Sequence, residues 1–245
     1  MFRFVLSRRW LVASVIVLAT AVTMIELGLW QLRRLDQVRA DNAIVRSQLA
    51  MPVEPLSEAF APGARPAYRR VVVDGRYDAT EQVRVDNRSD DDGSPGRHLL
   101  TPLVISDGTA LIVDRGWIPL DANPADAAPP AGEVRAVGVL FPSEKKVAFS
   151  ASIPPEGRVT AVPRIDVARL SKQLPYAALR LYLRLEQQDP AQAAALPKPP
   201  GLPSLDDGPH LSYAVQWFLF TTVELAVFGA LVRREAARRR RKAAE

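Results

Sequence analysis

The stretch HLSYAVQWFLFTTVELAVFGALV, residues 210–232, decides the fold. Its last 22 residues, Leu211 to Val232, carry a single formal charge, Glu224. About 20 apolar residues suffice for a helix to cross a bilayer. Arg233, Arg234 and the run Arg238 to Lys242 follow at once, and such a basic flank favours the cytoplasmic side. On a helix, His210, Tyr213, Trp217, Thr221 and Glu224 fall on one stripe. His210 stands at the outer rim and Glu224 beyond mid-depth. A carboxyl in this setting marks a functional candidate, because its burial is expensive. The plainer reading makes Tyr213 and Trp217 interfacial anchors, His210 a helix-start residue and Glu224 either protonated or paired with a neighbouring helix.

Working outward, the N-terminus repeats the pattern. Residues 1–10 form a basic leader with Arg3, Arg8 and Arg9, and residues 11–30 form a second apolar span broken only by Glu26. Ala19-Thr-Ala21 resembles a signal-peptide cleavage site, but the apolar run continues to Trp30, which favours an uncleaved helix. Two spans, 11–30 and 211–232, give a hairpin with both termini cytoplasmic and residues 31–209 outside. The expected location is a bacterial plasma membrane. Arg33 and Arg34 oppose this orientation and are outnumbered. Glu26 and Glu224 differ in depth by about 13 Å at 1.5 Å per residue, so they do not form a paired carboxylate site. Gln216 matches Glu26 better in depth.

Charge supports the division. The chain of 245 residues has a net charge of +5, yet residues 31–209 hold 22 basic and 23 acidic side chains. The excess lies at the ends, which points to a membrane surface and away from nucleic acid. There is no cysteine, so disulfides, thiolate catalysis and cysteine zinc sites are excluded. His98 and His210 are the only histidines.

All 21 prolines lie between residues 51 and 209. Residues 31–50 extend the first helix into solvent and end before Pro52. A β-rich core is expected over 67–186, with strands at 70–77, 82–86, 97–106, 109–118, 133–141 and 179–186. Asp107-Gly108 is a hairpin signal. Ile165 to Leu174 reads as a short helix capped by Asp166. The fold class expected is therefore a membrane protein in which two transmembrane helices flank an extracytoplasmic α+β domain, with an antiparallel sheet or barrel. Residues 187–209 are a Pro-rich linker and 233–245 a cytoplasmic basic tail.

No phosphate loop, dinucleotide turn or nucleophile elbow occurs. Asp90-Asp-Asp-Gly93 fails as a calcium loop, because Arg88 and Leu99 would fall at ligand positions. It reads as a solvated turn. His98 reads as a partly exposed strand histidine with no triad partners. A non-enzymatic protein is expected. Gly116→Val is expected to harm folding if a turn at Arg115-Gly116 needs positive φ.

Four ordered segments carry a resemblance: LGLWQLRR (27–34), YRRVVVDGRY (68–77), GRHLLTPL (96–103) with LIVDRGWIP (111–119), and HLSYAVQWF (210–218). Together they resemble the Surfeit-1 (Shy1) family of cytochrome c oxidase assembly factors. The resemblance implies an assembly factor for haem-copper oxidase, assisting haem a insertion into subunit I or its maturation. Its partners would be subunit I, the oxidase assembly machinery and the lipid bilayer. Some bacterial members are thought to bind haem a through a histidine at the start of the second span, which here is His210, with Tyr213 and Trp217 below it. Imidazole is a standard haem ligand. Arg33 and Arg34 are candidates to pair with propionates. The alternative is a permanent accessory or tethering subunit of a respiratory complex in which His210 binds nothing.

Overall fold

The computed structural model describes residues 6–146, 150–202 and 204–242. The chain divides into two units, one from residues 1–44 with 204–245 and one from residues 45–203.

The first unit holds the long helix α4 (His210–Lys242) and all of α1 (Arg8–Leu49) up to Ile44. Both are long and apolar enough to cross a membrane, by length and composition. Large side chains such as Val15, Leu18, Leu219 and Val223 face outward. Apart from Leu35, the buried residues of these two helices are small. Ala21, Gly28 and Leu35 repeat every seventh position on α1, and Ala214 and Thr221 do so on α4. Small residues let membrane helices approach closely. A Cβ on Gly28 would come within 2.7 Å of the Phe218 ring. Trp10 meets Phe228 at 6.2 Å between ring centroids.

The second unit is a mixed sheet. Its elements are β1 (Glu54–Pro55), α2 (Leu56–Ala59), β2 (Arg70–Tyr77), β3 (Val83–Ser89), β4 (Pro95–Ile105), β5 (Ala110–Pro119), β6 (Glu133–Pro142), β7 (Ala161–Val162), α3 (Val167–Ser171) and β8 (Ala178–Asp189). The order is β1-β2-β6-β8-β5-β4-β3-β7, and β2 also pairs with β4. Five strands, β2, β6, β8, β5 and β4, therefore close into a barrel. The expectation of an antiparallel arrangement is corrected here, since β5 and β8 run parallel, as do β1 with β2 and β3 with β7. The long path from β6 to β8 through β7 and α3 makes the parallel β5–β8 pairing possible, where a tight hairpin would impose an antiparallel one. The core also begins earlier than residue 67, because Leu56 and Ala59 of α2 are buried in it.

Alternation along the strands separates two cores. Val71, Leu103, Leu111, Val113, Leu140 and Leu183 come from all five closed strands and fill the barrel. Val85, Leu100, Ile112, Val139 and Tyr182 form the opposite face, covered by Val162, Ile165, Val167 and Leu170. This covering explains why nine successive residues of β5, Ala110 to Ile118, are buried. The helix expected over 165–174 is confined to α3. Asp166 caps it, accepting from Arg169 N at 3.1 Å.

The β4–β5 turn is as expected. Gly108 has φ +80°, and Asp107 Oδ1 accepts from Thr109 N at 2.8 Å and its hydroxyl at 2.6 Å. Gly116 does have positive φ, +124°, but it lies within β5 rather than in a turn. Leu99 pairs with Gly116 and Leu100 with Asp114, so Arg115 is the extra residue of a β-bulge. The segment after β8 is more than a linker. Lys198 joins β5 through Trp117 N to Lys198 O at 2.8 Å and the reverse bond at 2.9 Å.

Candidate functional site

Asp206 prepares the start of α4. Its Oδ1 accepts from Gly208 N at 2.8 Å and its Oδ2 from the Ser204 hydroxyl at 2.9 Å. The Ser204 hydroxyl, then the Gly208 N–H, hold this carboxyl below the usual carboxylate range. The turn sets Gly208 at φ +65°. The carbonyl of Pro209 then accepts from Tyr213 N at 3.1 Å, which opens the helix at His210. Arg39 Nε donates to Asp207 at 2.8 Å and Asn42 Nδ2 to Asp206 O at 3.0 Å, tying this turn to α1.

His210 is half-buried and meets α1. Its Nδ1 lies 2.9 Å from Gln31 Oε1. An amide oxygen only accepts, so Nδ1 donates to it, which leaves Nε2 as the nitrogen with a lone pair in the neutral form of the ring. A Cβ on Gly208 would stand 3.6 Å from Nε2, an ordinary van der Waals contact, so the glycine keeps one side chain away from that edge of the ring. These features fit an imidazole that could hold a haem iron: the ring is fixed by the bond of Nδ1 to Gln31, and Nε2 makes no hydrogen bond among the described residues. Tyr213 and Trp217 follow one and two turns further along. Tyr213 is 47% exposed, and Trp217 is half-buried with its ring against Phe220 at 6.2 Å. Neither hydrogen-bonds to His210 among the described residues. Arg33 lies 3.8 Å from Glu26 and Arg34 donates to Gln37 at 3.3 Å, both on the exposed face of α1. Gln216 is exposed, and no bond joins it to Glu26 among the described residues. Glu224 is held across the helices by the hydroxyl of Thr20, while its Oε2 is buried without a partner. No group of three or more His, Asp or Glu side chains placed to hold a metal ion occurs among the described residues.

The second unit holds a polar centre that the sequence reading missed. His98 is buried, 7% exposed, and its Nδ1 lies 2.9 Å from Oδ2 of the fully buried Asp114. The expectation of a partly exposed histidine without partners is thus corrected. The bulge in β5 is the cause, since it places Asp114 across from Leu100 and within reach of His98. Gly116 N also donates to Asp114 at 3.2 Å, and Arg184 Nε stands 4.0 Å away. His98 borders a cavity of about 340 Å³ beside Trp117, Arg184 and Lys198, with Asp114 behind it. Asp90 belongs to its rim, with Oδ1 accepting from Asp92 N and Ser94 N and Oδ2 3.3 Å from Lys198 Nζ. That is a turn carboxylate bound to its own loop, as the sequence suggests. The only available signal for the buried pair was two charges, Asp114-Arg115, inside an otherwise apolar strand.

Comparison with known proteins places these features in a family. The SURF1 family model matches residues 18–222, which takes in most of α1, the whole sheet and the first part of α4. An uncharacterized SURF1-like protein of Mycobacterium bovis is 29% identical over 251 residues, covering 98% of this chain and 90% of the relative. A SURF1-like protein of Rickettsia felis is 25% identical over 209 residues, 84% of this chain and 90% of its own. The cytochrome oxidase assembly protein SHY1 of Saccharomyces cerevisiae is 29% identical over 168 residues, 64% of this chain and 43% of its own. The chain belongs to the SURF1 family.

Proposed function

We propose that this chain is a membrane-anchored, non-enzymatic assembly factor for a haem-copper cytochrome oxidase, acting in haem a insertion into subunit I or in the maturation of that subunit. The hairpin of α1 and α4 anchors it in a bacterial plasma membrane, with both termini cytoplasmic and residues 31–209 outside. The observation that carries the reading is the orientation of His210, with Nδ1 tied to Gln31 and Nε2 without a hydrogen-bond partner among the described residues. A haem bound here would supply an iron centre. His210 would hold it through Nε2 at the start of α4. Gln31 fixes the ring and its tautomer. Tyr213 and Trp217 offer aromatic surface below the ligand, toward the bilayer. One protein ligand suits a carrier that must release its cargo.

The role is tested by purifying the tagged chain from cells that make the oxidase and quantifying subunit I by mass spectrometry. An assembly factor is recovered with immature subunit I. Stoichiometric recovery with mature, active oxidase would instead make it an accessory subunit and overturn the proposal.

A further inference from the structure

Arg115 is the largest side chain fully withdrawn from solvent, 1% exposed. The bulge in β5 aims it at one end of the barrel, where its guanidinium lies 5.5 Å from the centre of the Tyr77 ring. Nη1 donates to Gln82 Oε1 at 3.2 Å and to Ala127 O at 2.9 Å, and Nη2 donates to Gln192 Oε1 at 2.6 Å. All three acceptors are neutral. Among the described residues no carboxylate stands within ion-pair distance of Arg115, and its Nε is buried with no partner. Burial lowers its pKa to about 10, which leaves it charged at neutral pH. A buried charge without a counter-ion is costly, and proteins ordinarily pair it.

The same guanidinium borders a cavity of about 260 Å³ at the barrel mouth, a usual place for a ligand. Leu185, Ala191, Ala194 and Pro197 give it an apolar wall, and Gln188 and Gln192 a polar one. No acidic side chain lines it. Gln192 is held in turn by its Nε2, which donates to Ala128 O at 2.7 Å.

We propose that this barrel mouth is a binding site for a small carboxylate with a short aliphatic body, recognised by Arg115. One carboxylate oxygen takes the acceptor position now filled by Gln192 Oε1, and the other reaches Nε. Paired hydrogen bonds of this kind are what a planar guanidinium offers a carboxylate. The aliphatic body lies on the Leu185 and alanine wall. Gln192 acts as a neutral stand-in that the ligand displaces. The site is independent of the haem reading, since it uses no residue of the helical hairpin.

The test uses the full chain in detergent at constant ionic strength, with butyrate as the probe and butyramide as its uncharged counterpart. Binding is read from the thermal midpoint as a function of probe concentration. The wild type is stabilised by butyrate and not by butyramide. Gln192→Ala, which frees the acceptor position, binds butyrate about tenfold tighter, one hydrogen bond's worth of competition. Gln192→Glu supplies the carboxylate from within the chain and loses the response. Equal responses to both probes, no response in either the wild type or Gln192→Ala, or an undiminished response in Gln192→Glu would each overturn the proposal.

Discussion

Replacing Gly116 tests how the barrel is held to the segment that crosses it. A Cβ at position 116 would lie 1.8 Å from the carbonyl oxygen of Lys198 and 2.5 Å from its carbonyl carbon. Both atoms are backbone, so no side-chain rotation relieves the overlap. The segment must move, and the two bonds between Trp117 and Lys198, at 2.8 and 2.9 Å, are lost. Each backbone bond contributes about 1 kcal/mol net. A non-glycine residue at φ +124° adds strain of about 1–3 kcal/mol. Gly116→Ala should therefore cost about 3–5 kcal/mol, and Gly116→Val at least as much. At about 2–4 °C per kcal/mol for a domain of this size, the thermal midpoint falls by roughly 10 °C. Gly108→Ala is the control, because Gly108 also has positive φ, +80°, but no atom lies within 4 Å of its added Cβ. It pays strain alone, about 1 kcal/mol. The assay is thermal unfolding of detergent-solubilised protein followed by circular dichroism. A midpoint for Gly116→Ala no lower than that for Gly108→Ala would refute the reasoning.

Asp114→Ala leaves His98 and Arg184 facing a buried gap and should cost about 3–5 kcal/mol. In a double-mutant cycle with His98→Ala, a coupling below about 0.5 kcal/mol would show that the pair does not act together. The carboxyl of Asp74 is lowered by its bond to Arg135, and that of Asp107 by its bonds to the hydroxyl and N–H of Thr109. Depressed folded-state pKa values give stability that is present above the unfolded value, about 3.9, and lost as pH falls through the folded values. Stability should thus hold from neutral pH to about 5 and decline below about 4, less steeply in Asp107→Asn; a decline beginning near pH 6 would contradict this. In the membrane hairpin, Gly28→Ile collides with the Phe218 ring. Because the chain has no cysteine, a Thr20→Cys, Glu224→Cys pair reports on helix proximity by disulfide yield. Gly28→Ile should lower that yield severalfold, while Gly229→Ile, whose added Cβ meets nothing within 4 Å, should leave it unchanged.

What was legible followed from periodicity and turn chemistry. The apolar runs located α1 and α4, and the strand at 70–77 matches β2 residue for residue. Asp107-Gly108 fixed the β4–β5 hairpin because few residue pairs serve that turn. The parallel pairing of β5 with β8 left no such mark, since it depends on a connection of more than 30 residues. β1 and β7, two residues each, are too short to show alternation. The polar interior was hidden for a related reason. A bulge breaks the two-residue period, so alternation could not show that Asp114 and Arg115 point inward, and their partners His98, Arg184 and Gln192 are remote in sequence. The stripe from His210 to Glu224 was readable as helical spacing, whereas Gln31 is 179 residues from His210 and emerges only from the packing of α1 on α4.

The central claim is that His210 is a haem ligand, and an absorption spectrum tests it most directly. The full chain is expressed alongside haem a synthesis, purified in detergent and compared with His210→Ala. The account predicts a bound haem a band in the wild type that is lost in the variant. A wild type without the band, or a band that survives in His210→Ala, would contradict it.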